Sequence, residues 1–212
     1  MTKQIQQLLV ASGNTKKLKE LQELLKDLPV KLLSLKDFPN VVEVEEDGKN
    51  FRENAKKKAL GFASQTGCLT LADDSGLAVD YLKGEPGIYS ARFAGPQKDD
   101  IKNCEKVLHL LKDVPLQDRS AAFKCAVALV TPNSVISIVE ESVSGFITDK
   151  MTGKGGFGYD PLFFYPEFGK TFAEVPSDLK HSVSHRGKAL RKMKEVLREY
   201  FKNHSRAVSS SG

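Results

Sequence analysis

The pair Asp73-Asp74 is the first place where residue types point to chemistry. Adjacent carboxylates repel each other and are normally avoided in a buried turn. A divalent cation beside them would resolve that repulsion, and Mg2+ suits the task because it takes hard oxygen ligands and keeps bound waters. A second acidic run, Glu45-Glu46-Asp47-Gly48, lies just ahead of a helical pattern. Acids there complement the helix dipole, so Glu45 and Glu46 become metal-ligand candidates only in the company of the first pair. Near the start, Ser12-Gly13-Asn14-Thr15-Lys16-Lys17 puts two lysines at the opening of a helix, where amides and the positive dipole end favour an anion. The glycine spacing of a Walker loop is absent. Residues 154–160, Lys-Gly-Gly-Phe-Gly-Tyr-Asp, gather three glycines around one aromatic. Phe157 on such a loop offers a flat face on which a base can stack, and Asp160 can accept hydrogen bonds from a base edge. Ser184-His185-Arg186 adds donors suited to a base carbonyl. Taken singly, each stretch has an ordinary structural explanation as a cap, an Asx turn or a core plug. Together they fit one ligand, a purine nucleoside triphosphate with Mg2+.

These residues need an α/β framework to position them. Residues 5–11 read as a strand, and Leu18, Leu21, Leu24, Leu25 and Leu28 form a helical stripe after it. Asn14 or Thr15 is the expected N-cap. Residues 30–35 read as a second strand, and a helix starting at Lys49 or Asn50 carries Phe51, Ala55, Ala59, Phe62 and Ala63 on one face. Residues 68–72 read as a strand ending at the acidic pair, which puts Asp73-Asp74-Ser75-Gly76 on a turn where ligands of α/β sheets usually bind. Another strand follows over 77–82. Residues 99–112 read as an amphipathic helix with Ile101, Cys104, Leu108 and Leu111 inward. Residues 119–131 alternate as a strand with one solvated side and pair with 135–143 as a hairpin. Asp178 or Ser184 is the expected cap of the last helix, and 205–212 the expected frayed tail.

The chain has 212 residues, enough for one domain with a sizeable core. Its net charge is +5, but residues 186–206 hold eight Lys/Arg against two acids, so one basic helix accounts for the excess. A solvated helical face explains that better than a polyanion-binding surface. No apolar run approaches the roughly 20 residues of a membrane span, and the N-terminus has no signal-peptide core, which places the protein in the cytoplasm. Cys68, Cys104 and Cys125 are far apart and read as small core residues.

Six stretches in this order carry a resemblance that covers nearly the whole chain, residues 9 to about 197. They are Ser12–Lys17, Glu45–Gly48 with Phe51–Ala55, Ala72–Leu77, Pro86–Phe93, Gly155–Pro161 and Ser184–Gly187. The chain closely resembles the inosine triphosphate pyrophosphatase family, the Ham1/RdgB-type hydrolases of non-canonical purine nucleotides. The resemblance implies an α/β fold with an elongated mixed sheet flanked by helices, in two lobes with the active-site cleft between them, usually as a homodimer. It implies hydrolysis of ITP, dITP and XTP to the monophosphate and pyrophosphate, with Mg2+ and with Mn2+ as a substitute. Carried over residue by residue, Ser12, Gly13, Asn14, Thr15, Lys16 and Lys17 would hold the triphosphate, with Ser75 as a phosphate or turn contact. Asp74 would be the general base, and Glu45 or Glu46 with Asp74 would hold the metal. Phe157 would stack on the base with Gly158 and Tyr159 beside it, Asp160 would meet the base edge, and Lys180, His185 and Arg186 would complete the pocket. The organisation implied is a single domain over 1–204 with no membrane and no nucleic-acid polymer as partner. Two rivals fit less well. A nucleotide sensor or RNA-binding module without turnover gains nothing from carboxylates beside phosphates, and the signature of a Maf-like pyrophosphatase is missing.

Overall fold

A parallel trio of strands starts the sheet. β1 (Gln7–Val10) pairs with β2 (Lys31–Ser34) on one side, Leu9 opposite Leu33, and with β3 (Thr70–Val79) on the other, Leu9 opposite Thr70. Parallel neighbours need long crossovers, which contain α1 (Thr15–Leu25) and α2 (Phe51–Thr66). The computed structural model describes residues 6–207. Its seven strands form one mixed sheet in the order β2-β1-β3-β4-β5-β6-β7. The remaining strands are β4 (Ser120–Val130), β5 (Val135–Ile147), β6 (Phe163–Tyr165) and β7 (Lys170–Thr171), with β6 antiparallel to both β5 and β7. The other helices are α3 (Asp100–Leu110), α4 (Ser177–Val183) and α5 (His185–Ala207). Among the described residues no helix is long and apolar enough to cross a membrane. The three cysteines are free, with Cys104 and Cys125 buried.

The chain divides into two compact units. The first comprises the residues up to Asp74, Ala126–Glu140 and those from Ala189 on. Its core packs Leu9 and Ala72 with Ala55, Ala59 and Phe62 of α2. The second comprises Ser75–Cys125 and Glu141–Lys188. Phe163 anchors its core, with ring centroids 4.6 Å from Phe123 and 5.0 Å from Phe172.

The structure corrects the expected turn at the acidic pair. β3 runs unbroken from Thr70 to Val79, so Asp73, Asp74, Ser75 and Gly76 lie within a strand instead of at its end. Asp-Asp-Ser-Gly has turn propensity, but tertiary contacts override it. Gly76 is there for close packing: a Cβ would come within 2.2 Å of Ser90 Oγ and 2.5 Å of the Gly87 carbonyl. Ser90 Oγ in turn accepts the Leu77 N–H at 2.9 Å.

Other boundaries shift for equally local reasons. β4 alternates only over its first five residues and is then buried on both faces from Cys125 to Val130, because Ala126, Ala128 and Val130 join the core around α2 while Val127 and Leu129 are buried as well. α3 buries Cys104 and Val107 but leaves Ile101 60% exposed. The expected single last helix is two, broken at Ser184. Ser184 Oγ accepts the Gly187 N–H at 3.1 Å and caps α5, as one of the two expected candidates. A Cβ on Gly187 would lie 1.9 Å from the His181 carbonyl, so the break is sterically tight. α5 continues through Ala207, three residues into the stretch expected to fray, and residues 208–212 lie outside the described residues.

Arg119 ties the second unit together. It is buried, and its guanidinium donates to the carbonyls of Val114 (2.9 Å), Leu111 (2.8 Å) and Thr148 (3.1 Å). Arg119→Leu would remove all three bonds, leaving the buried Val114 carbonyl and the half-buried Thr148 carbonyl without this donor, while the Leu111 carbonyl keeps the Val114 N–H at 3.0 Å. The expected loss is about 2 kcal/mol or more, since each orphaned group costs roughly 1–3 kcal/mol. A urea midpoint that falls with an unchanged m-value would show it, and an unmoved midpoint would refute it.

Candidate active site

Helix α2 organises the acidic segment ahead of it. Gln65 brackets Val42, accepting its N–H at 2.7 Å and donating to its carbonyl at 3.1 Å. Gly61 makes room for Val44, whose Cγ2 would lie 2.6 Å from a Cβ there. Lys58 Nζ meets Glu46 Oε1 at 3.2 Å, and Asn54 Oδ1 accepts the Gly48 N–H at 2.7 Å. Positions 65, 61, 58 and 54 repeat at the helical spacing, while 42, 44, 46 and 48 repeat at the period of an extended chain. The segment therefore lies along α2, with Val44, Glu46 and Gly48 turned toward it and the Val42 side chain left exposed. That parity separates the two candidate metal ligands, since Glu46 meets Lys58 whereas Glu45 is exposed.

The carboxylates of β3 meet lysines from both helices. Asn14 caps α1 as expected, its Oδ1 accepting the amides of Lys16 (3.0 Å) and Lys17 (3.1 Å), so those two donors already have a partner in the chain. Ser12 Oγ accepts the Asn14 N–H at 3.3 Å and steadies the turn. Gly13, Thr15 and Lys16 are exposed, and a Cβ on Gly13 would meet nothing within 4 Å. Lys17 bends inward, its Nζ 3.4 Å from Asp73 Oδ2. Asp73 is fully buried and Asp74 nearly so. Burial raises the pKa of Asp74; Lys17 and Lys58 pull it down, Glu46 pushes it up, an Asn54 hydrogen bond lowers it, and the net direction is up. Burial alone would lower that of Lys58, but Asp73, Glu46 and Asp74 outweigh it and hold the ammonium charged. Lys17 and Lys58 thus act on the carboxylates of Asp73, Asp74 and Glu46. Asn54 and Lys58 were not among the sequence candidates. Their signal was two polar residues four apart on the face that Ala55, Ala59 and Phe62 mark as buried.

The second unit holds the glycine-rich loop. Gly155 N–H donates to the Ala173 carbonyl at 2.9 Å. Gly156 has φ +69°, and a Cβ there would strike Asp160 Oδ2 at 2.1 Å. That same oxygen accepts the Phe157 N–H at 2.8 Å and faces Lys180 Nζ at 2.6 Å in a buried pair. Asp160 is therefore engaged in shaping the loop that carries Phe157, a role distinct from the base-edge contact expected of it. The half-buried Phe157 ring lies with Lys180 Nζ 4.8 Å and Arg186 Cζ 5.5 Å from its centroid. Arg186 Nη2 donates to Ser75 Oγ at 2.8 Å, which brings two candidates far apart in sequence into contact. His185 is buried and stacks on Phe123 at 4.8 Å and 12°. Gly158 is half-buried with φ +59°. Tyr159 belongs to the core, and its hydroxyl donates to the Ser90 carbonyl at 2.8 Å. Burial pushes that hydroxyl's pKa up, which removes it as an acid or base near neutral pH.

The chain is similar to known proteins over nearly its whole length. A curated dITP/XTP pyrophosphatase of Desulforamulus reducens is 53% identical over 194 residues, covering 92% of this chain and 96% of that protein. One of Geobacter sulfurreducens is 51% identical over 190 residues, covering 90% and 96%. A solved HAM1 protein from Coxiella burnetii superposes with a TM-score of 0.84 at 41% identity, covering 92% of this chain and all of that one. The Staphylococcus aureus Ham1 protein gives 0.82 at 36%, with the same coverage. The Ham1 family profile matches residues 8–196, and with relatives this similar over nearly their whole length the chain belongs to the Ham1 family.

Proposed function

We propose that this protein hydrolyses non-canonical purine nucleoside triphosphates (ITP, dITP and XTP) to the monophosphate and pyrophosphate, and so cleanses the nucleotide pool. The observation that carries the reading is Asp74, a buried carboxylate with its pKa raised, set among Lys17, Lys58 and Glu46. A carboxylate so placed takes a proton from water as the water oxygen bonds to the α-phosphorus. The bond from that phosphorus to the bridging oxygen breaks, and pyrophosphate leaves with the electron pair. Lys17, with the residues of Ser12–Lys16, steadies the charge that develops on the leaving group. Phe157 stacks on the base, while Arg186 and His185 read its carbonyl edge. Non-catalytic nucleotide sensing stands as the alternative, and it leaves the acids of β3 without a use. Location in the cytoplasm and work as a homodimer are part of the same reading, supported by the likeness to the family.

The donor set also fits a divalent ion. Among the described residues no three carboxylate, histidine or cysteine side chains form a ready-made metal cage. Mg2+ asks for less, being held by one or two carboxylates plus substrate phosphates. Glu46 and Asp74 would supply those carboxylates. Bound there, Mg2+ or Mn2+ would supply Lewis-acid neutralisation of phosphate charge. Excess EDTA is expected to abolish turnover, and undiminished hydrolysis would refute the metal requirement. The function itself is tested by phosphate release from ITP. Free phosphate should be detected only when inorganic pyrophosphatase is added, whereas phosphate released without it would mean a different bond is cut.

A further inference from the structure

We infer that Asp100 is a positioning residue for substrate selection, fixing the direction in which Phe157 presents its ring; this rests on Phe157 being the base platform. Asp99, not Asp100, caps α3: its Oδ1 accepts the amides of Ile101 at 2.9 Å and Lys102 at 3.1 Å. The next carboxylate turns elsewhere. Asp100 Oδ2 accepts the Gly158 N–H at 3.0 Å, across 58 residues of sequence. One turn along the same helix face, Cys104 Sγ lies 3.4 Å from the Gly158 carbonyl. Helix α3 thus grips Gly158 on both sides of its backbone.

The consequence falls on Phe157. Its own N–H is held by Asp160 Oδ2 at 2.8 Å, and the following amide by Asp100. Those two amides lie in the peptide planes before and after the Phe157 Cα. Fixing both planes fixes φ and ψ at Phe157, and with them the direction of the Cα–Cβ bond. The glycines around it cannot do this alone, since they widen the accessible backbone angles instead of narrowing them. Asp160 is a poor probe of the effect, because removing it also breaks its buried ion pair with Lys180. Asp100 is half-buried, and its Asn variant separates the hydrogen bond to Gly158 from any effect of its charge. A plain dipole role for an acid in the first turn of α3 predicts a small stability change and no effect on substrate.

The test is a double-mutant cycle with ITP, measuring kcat, KM and Tm for Asp100→Ala, Asp100→Asn, Phe157→Ala and the Asp100→Ala/Phe157→Ala pair. Asp100→Ala should raise KM by about tenfold, in line with a hydrogen bond to a charged acceptor, with kcat within about twofold. Asp100→Asn keeps an oxygen that can accept the Gly158 N–H and should stay within about threefold of the parent KM. In the Phe157→Ala background, Asp100→Ala should have no further effect, because a residue acting through the ring has nothing left to orient. Phe157→Ala with a raised KM and Asp100→Ala without one overturns the inference and leaves the platform reading standing. So does an Asp100→Ala effect that persists undiminished without the ring, or an Asn variant as impaired as the Ala variant. An unmoved KM in Phe157→Ala overturns the platform reading and this inference with it.

Discussion

Asp74→Asn is expected to lower kcat for ITP by at least 10²–10⁴-fold, the range for removal of a single general base. The substitution keeps the size and shape of the side chain and removes only its ability to take a proton and to carry charge. Substrate binding should largely survive, because Lys17, Phe157 and Arg186 lie elsewhere on the chain and Glu46 remains as a carboxylate for the metal. Calorimetric titration of ITP into the variant should therefore return an affinity close to the parent's apparent one. Stability should move the other way from activity. Burial penalises the Asp74 charge more than Lys17 and Lys58 reward it, as the raised pKa records. A neutral amide at this position removes that penalty, and the variant should melt no lower than the parent. Loss of function without loss of stability marks a site where function has been favoured over the most stable packing. A variant that hydrolyses ITP at the parent's rate would remove Asp74 from the mechanism.

The local part of this site was legible in the sequence. Asn14 as the cap of α1, Ser184 as a cap of α5 and the apolar face of α2 all follow from residue types over a few positions. What stayed hidden depends on partners distant in the chain. Asp-Asp-Ser-Gly carries a turn signal, and nothing local announces that Lys17 and Lys58 will stand beside the acids in a continuous strand. Glu45 and Glu46 are equivalent in one dimension. Only the parity of the segment along α2, set by Gly61, Lys58 and Asn54, distinguishes the inward one. Phe157 and Tyr159 are two aromatics on one loop, and the hydroxyl that sets Tyr159 apart in sequence is used on the Ser90 carbonyl. Asp100 was hidden by its neighbour, since two acids opening a helix look like one cap and one dipole charge.

Arg186→Ala is expected to reduce the ITP-to-ATP ratio of kcat/KM by about 10²-fold or more. Hypoxanthine and xanthine carry a carbonyl oxygen at C6, where adenine carries an amino group. A guanidinium has five N–H donors and no acceptor, so it satisfies the former and faces donor with donor against the latter. The setting makes that mismatch expensive. Arg186 is buried, 3% exposed, with one nitrogen on Ser75 Oγ and its Cζ 5.5 Å from the centroid of the Phe157 ring. An unsatisfied buried polar group costs about 1–3 kcal/mol, more when charged, and sites built to hydrogen-bond a substrate group can reject analogues by 10⁴–10⁵-fold. Truncation would also remove the cation–π contact with Phe157 and leave a cavity. Those losses fall on ITP and ATP alike, so the ratio is the quantity to read, not either rate. Arg186→Lys serves as the control, because it keeps the charge but not the planar fork that reaches Ser75 and the base edge together. It should therefore recover only part of the selectivity. A ratio unchanged in Arg186→Ala would show that the base is read by another group, even if hydrolysis itself continued to depend on Asp74.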